Sequence, residues 1–110
     1  MNLIALFFLL LPVTYEAPKV EYIYAEFTMY TNSPEETDDT PDIMADGTMV
    51  RAHSIACPRR YPFGVVVEVE KKQYVCRDRM NKKHDGFDIW TPDKKVAKAF
   101  GRKYLPAIIR

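Results

Sequence analysis

Two carboxylates ten residues apart, Asp78 and Asp88, are the groups in this chain most suited to acid–base chemistry. Asp78 stands in the run Tyr74-Val75-Cys76-Arg77-Asp78-Arg79, and Asp88 stands in Phe87-Asp88-Ile89-Trp90. Both runs are β-branched and aromatic, so both read as strands. A carboxylate in an apolar strand is expensive to bury unless it is paired, hydrogen-bonded or kept protonated. Each therefore asks for an explanation, either a salt bridge or turn cap, or an acid with chemistry to perform. Alternation along the first strand expects Cys76 and Asp78 on one face, with Arg77 and Arg79 on the other. In the second strand Asp88 shares its face with Trp90.

The remaining reactive residues are fewer. Cys57 and Cys76 are nineteen apart, too far for a C-x-x-C motif. In an exported chain an even cysteine count favours a disulfide, and closing that loop adds ~3 kcal/mol in the chain-entropy model. A zinc site would have to recruit His53 or His84, and no spacing supports it. Neither histidine is placed as the base of a cysteine nucleophile. His84, in a run with Lys82, Lys83 and Asp85, reads as a solvated loop residue. Trp90 and the seven tyrosines suit stacking on sugar rings, and they equally suit core and rim packing. No Walker or dinucleotide fingerprint occurs, so neither a metal nor a cofactor is expected.

These residues need elements to hold them. Residues 19–30 read as one or two strands. The polar, turn-forming stretch 31–42 reads as a loop, and Asp46-Gly47 as a tight turn leading into residues 49–56. A Pro- and Arg-rich loop spans 57–62. Strands are expected over 65–70 and 73–79, joined by a short Lys71-Lys72 turn, then over 87–90 and 103–109. One helix is expected near 92–100, with Thr91 as N-cap, Pro92 at its first position and Gly101 at its end. Val96, Ala97 and Phe100 would form its apolar stripe. Many short strands with turn signals between them and a single helix indicate a mainly β fold, a small barrel.

Length and charge narrow the function. With 110 residues there is room for one domain, and 47% hydrophobic with 28% charged residues is globular composition. A net charge of +1 argues against a dedicated nucleic-acid binder, which usually carries a basic patch. That small net value conceals an asymmetry. Residues 16–50 hold nine acids and one base, and residues 51–110 hold fifteen bases and six acids. Such a split describes either two mutually attracting faces or a basic wall for an acidic polymer. The apolar run 3–13 is too short to span a bilayer and suits the core of a secretory signal. Residues 1–18 are therefore read as a signal-like segment, residues 19–110 as the folded domain, and the location as extracytoplasmic. Membrane contact is expected only through that segment if it is not cleaved.

Several pieces follow one another in a recognisable order: Tyr30-Thr31, Asp39-Thr40-Pro41, Ala45-Asp46-Gly47-Thr48, Ile55-Ala56, Pro62-Phe63-Gly64, Tyr74-Val75-Cys76-Arg77-Asp78-Arg79 and Phe87-Asp88-Ile89-Trp90. The series, closed by a helix ending Ala99-Phe100-Gly101, resembles the 3D (three-aspartate) domain. That domain is related to the barrels of membrane-bound lytic transglycosylase A, rare lipoprotein A and expansins. The resemblance implies a six-stranded double-psi β-barrel with one short helix near the C-terminus, and a groove that holds a peptidoglycan glycan strand. It implies a lytic transglycosylase, which cleaves the muramic acid–glucosamine bond without water and leaves a 1,6-anhydro sugar. On this comparison the catalytic aspartate falls on Asp88 and the second on Asp78, with Tyr30, Thr31, Thr40 and Trp90 binding substrate. The family's first aspartate is replaced, since Cys57-Pro58 stands where it has Asp-Pro. Asp78-Arg79-Met80-Asn81 likewise stands where it has Asp-Thr-Gly-Gly. The same alignment brings Cys57 toward Cys76, so a disulfide with Cα atoms ~4.4–6.8 Å apart is expected. A monomer acting on glycan is expected. The alternative is a non-catalytic, disulfide-stapled barrel that binds cell-wall glycan or a protein partner.

Overall fold

The computed structural model describes residues 19–32, 42–81 and 83–110. The signal-like segment over 1–18, most of the 31–42 loop and Thr40 within it lie outside the described residues. The described residues contain six strands: β1 (Glu21–Tyr30), β2 (Ser54–Cys57), β3 (Val66–Val69), β4 (Lys72–Arg79), β5 (Phe87–Trp90) and β6 (Lys103–Ile109). One helix, α1 (Lys94–Phe100), lies between β5 and β6. The strands close into a barrel in the order β1-β5-β2-β4-β3-β6, with β6 returning to β1. The β1–β5 and β2–β4 pairs are parallel and the others are antiparallel.

Strand alternation builds the core. On β1, Phe27 is fully buried while Tyr22 and Tyr24 face solvent. Phe27 and Phe87 are register partners, and their rings stack with centroids 5.1 Å apart. Tyr61 packs on Phe87 at 5.6 Å, and Ile55, Val67, Val69, Ile89 and Ile109 fill the rest. Each large apolar side chain removed from water contributes about 1.5–3 kcal/mol. Cys57 and Cys76 lie in this core, both fully buried, and form a disulfide with Cα atoms 5.8 Å apart. The pairing and its expected span hold.

Several local expectations need correction. The helix starts at Lys94 because Asp93, not Thr91, is its cap: the Asp93 carboxylate accepts from the Lys95 N–H at 2.8 Å. Thr91 instead accepts from the Asp93 N–H through its hydroxyl at 3.3 Å, forming the turn before the helix. Of the expected stripe, Phe100 packs against the core, but Val96 is exposed. Gly101 ends the helix at φ 65°, as expected. The second correction concerns Cys57, which closes β2 instead of opening a loop. The β3–β4 hairpin turns on Glu70-Lys71, one residue earlier than the expected Lys71-Lys72, with Val69 opposite Lys72. Both turn residues have positive φ, 51° and 64°.

Candidate functional site

Asp78 and Asp88 are brought together by strand register. Asp78 on β4 and Asp88 on β5 are both opposite Ala56 of β2, which lies between them. Thr28 of β1 is opposite Asp88, and Tyr30 is opposite Trp90. Thr28 and Tyr30 alternate with the core residues Phe27 and Met29, Asp88 alternates with Phe87 and Ile89, and Ala56 sits between Ile55 and Cys57. The row Asp78–Ala56–Asp88–Thr28 therefore faces away from the core. Two strand spacings place the two aspartate Cα atoms ~9–10 Å apart, with Ala56 between them only 4% exposed and the Tyr30 side chain reaching across from β1 to Asp78.

Asp78 reaches this face through a β-bulge. The register of β2 on β4 shifts between Ile55, opposite Cys76, and Ala56, opposite Asp78, so Arg77 is the extra residue. A bulge re-aims the side chains beyond it. Cys76 stays in the core, bonded to Cys57, and Asp78 turns out to meet Tyr30. This corrects the expectation that Cys76 and Asp78 share a face, since alternation holds only where no residue is inserted. Arg77 was expected on the opposite face from Asp78 and lies beside it in the bulge. Its guanidinium nevertheless turns elsewhere, donating to the Ser54 hydroxyl at 2.8 Å. Burial and the neighbouring Arg51 lower its pKa, and Asp46 partly offsets this.

Asp78 is tied down on several sides. Its Oδ2 accepts from the Tyr30 phenol at 2.6 Å, and its Oδ1 accepts from the backbone N–H groups of Ala45 and Arg79, each at 3.0 Å. The Ala45 bond comes from a turn built locally. Gly47 at φ 87° donates to the Met44 carbonyl, and Asp46 accepts from the Thr48 N–H and hydroxyl. The expected Asp46-Gly47 turn is present, and the Asp46 N–H docks it on the Arg77 carbonyl at 3.0 Å. Asp88, half-buried, accepts from the Thr28 hydroxyl at 2.9 Å. Burial raises the Tyr30 phenol pKa far above its ordinary value, and the bond to Asp78 and the charges of Asp78 and Asp88 add to the effect. Tyr30 thus remains a proton donor to Asp78 through the whole neutral range.

The other expected site residues are distributed as follows. Trp90 is half-buried beside Tyr30, and its buried indole N–H finds no partner among the described residues. Thr31 follows β1 and is 4% exposed. Thr40 lies outside the described residues. Sequence reasoning missed Thr28, Ala56 and the Ala45 N–H. Thr28 had a usable signal, since it lies two residues before Tyr30 and so on the same strand face. The Ala45 amide had none, because a backbone donor has no residue type. The arrangement offers a carboxyl oriented by a hydroxyl and a second carboxylate held by three donors, with the buried Ala56 between them.

No protein-family model matches this chain, and no curated protein matches it. The disulfide is compatible with an oxidising compartment.

Proposed function

We propose that this chain is an exported, peptidoglycan-active double-psi barrel of the three-aspartate kind, a lytic transglycosylase in which Asp88 is the single acid/base. The observation that carries the reading is the register row, in which Asp88 and Asp78 flank Ala56 on the side of the sheet away from the core cluster. A hydrolase of the usual type uses one carboxyl as acid and a second as base or nucleophile. Asp78, committed to Tyr30 and two backbone amides, is poorly suited to that second role. A transglycosylase needs one acid. Asp88 gives its proton to the glycosidic oxygen as the bond to C1 breaks. Its carboxylate then takes the proton from the C6 hydroxyl of the same sugar, whose oxygen closes on C1. The nucleophile is intramolecular and already close, so no water is consumed and the acid is regenerated. Asp78 contributes a fixed negative charge beside the developing positive ring.

A second reading, the non-catalytic glycan- or protein-binding barrel, is favoured by Cys57. The residue at the family's first aspartate position is buried in the core and bonded to Cys76. Incubating the purified chain with peptidoglycan and assaying anhydro-sugar products separates the two. On the catalytic reading Asp88→Asn lowers product release by ~10²–10⁴-fold, while glycan binding and near-ultraviolet circular dichroism stay unchanged. Asp78→Asn lowers it less. Wild-type protein that binds glycan and releases nothing leaves the second reading in place.

A further inference from the structure

We infer that the cleft between β1 and the loop ending at Gly86 is a distal subsite that holds the same glycan strand a few sugar rings away from Asp88. The inference rests on the glycan reading above and extends it to the length of substrate recognised.

The outward face of β1 reads Tyr22, Tyr24, Glu26, Thr28, Tyr30 in sequence, so the candidate site and two tyrosines lie on one continuous stripe. Tyr22 and Tyr24 are 78% and 69% exposed, and Tyr104 on the adjoining β6, opposite Glu26, is 60% exposed. The Tyr24 and Tyr104 rings lie 6.1 Å apart at 30°, forming an aromatic surface that the barrel leaves uncovered. Beside it is a cleft of about 590 Å³, walled by Arg60, Lys83, His84 and Asp85. Its position depends on Gly86, where a Cβ would stand 2.8 Å from the Glu26 carbonyl oxygen. The missing side chain lets the loop close on β1.

Continuity with Asp88 follows from counting residues. The cleft includes Glu26 and Gly86. Two residues further along each strand stand Thr28 and Asp88, the hydrogen-bonded pair of the candidate site. The step is ~7 Å, and Tyr24 lies ~13 Å from Thr28 along the strand. A ligand in the cleft is therefore adjacent to the carboxyl of Asp88. The chemistry of the cleft suits a sugar polymer more than an apolar peptide. Tyrosine rings stack on the C–H faces of pyranoses, and their hydroxyls remain free to meet sugar hydroxyls. Arg60 pairs with Asp85, and Glu26 with Arg102 at 3.6 Å. Among the described residues this leaves Lys83 as the cleft's unbalanced cation, able to meet the lactyl carboxylate of a muramic acid residue.

The test measures binding by calorimetry in the Asp88→Asn background, which prevents turnover. The ligands are peptide-free peptidoglycan strands of two sugars and of eight or more. The expected result is that the long strand binds more tightly than the short one. The Tyr24→Ala/Tyr104→Ala variant should lose about tenfold or more on the long strand and nothing on the short. Thermal melts check folding, and Tyr104→Ala alone serves if the double variant is unstable. Equal affinity of the Asp88→Asn protein for both lengths, or long-strand binding unchanged by the tyrosine variants, overturns the distal subsite while the chemistry at Asp88 stands. Binding of neither length by the Asp88→Asn protein and by wild type overturns the glycan reading and the subsite with it.

Discussion

The Tyr30 phenol joins strands that are not neighbours, β1 and β4, and its hydroxyl satisfies a carboxylate that would otherwise lose one of three donors. Tyr30→Phe should therefore cost about 1–3 kcal/mol in urea unfolding at neutral pH, the penalty for a hydrogen bond to a charged group. The same residue sets an alkaline limit. Unfolded, a tyrosine titrates near 10. Folded, Tyr30 titrates far higher, chiefly through burial and then through Asp78 and Asp88. The folded chain holds that proton more tightly, so its contribution is complete below pH ~10 and is lost as pH rises above it. The expected slope from one such group approaches about 1.4 kcal/mol per pH unit. Tyr74, raised mainly by burial, acts in the same direction. Unfolding midpoints measured between pH 9 and ~11.5 should fall for the wild type and fall less steeply for Tyr30→Phe. An unchanged slope would mean that the phenol is not held protonated by the fold. At this scale the sequence marked Asp78, Asp88 and Trp90 through their types, and Tyr30 through the family resemblance. It was silent on Ala56 and the Ala45 amide, whose importance is purely positional.

The elements were legible where alternation was regular and obscure where it was interrupted. β5 and β6 fall at their expected bounds because Phe87/Ile89 and Ala107/Ile109 point inward at every second position. The Arg77 bulge left no trace in composition, since Arg77-Asp78-Arg79 continues an apparent alternation by charge. The helix start was misplaced because Thr91 and Asp93 are both good caps, and only the geometry chose between them. The β3–β4 hairpin carries a correctable strain. Its two central residues, Glu70 and Lys71, adopt the left-handed conformation of a type I′ turn, in which Asn-Gly is favoured. For a residue with a Cβ this conformation costs about 1–2 kcal/mol. Glu70→Asn/Lys71→Gly should raise stability by about 1–2 kcal/mol, read as a Tm increase of at least ~4 °C. A lowered Tm would mean that Glu70 or Lys71 makes a contact outweighing the backbone strain.

For the molecule as a whole, closure and the disulfide act on different states. The closed strand order leaves no open edge in the described sheet, which removes a template for intermolecular pairing. The Cys57–Cys76 bond links β2 to β4 across nineteen residues and restrains the unfolded chain. Cys57→Ala/Cys76→Ala should lose about 3 kcal/mol, and Tm should drop by more than about 10 °C. A drop of only one or two degrees would show that the barrel's packing, not the cross-link, carries its stability. The barrel class was readable from short strands and a lone helix, but the strand order was not, because it depends on contacts between distant segments. That order governs how the chain can be made. Among the described strands β1 comes first in the chain, and it pairs only with β5 and β6, the last two. A chain emerging amino end first holds β1 without its partners until residue 109 is available. Closure of the barrel is therefore a late, non-local step that waits for both ends of the fold to be present.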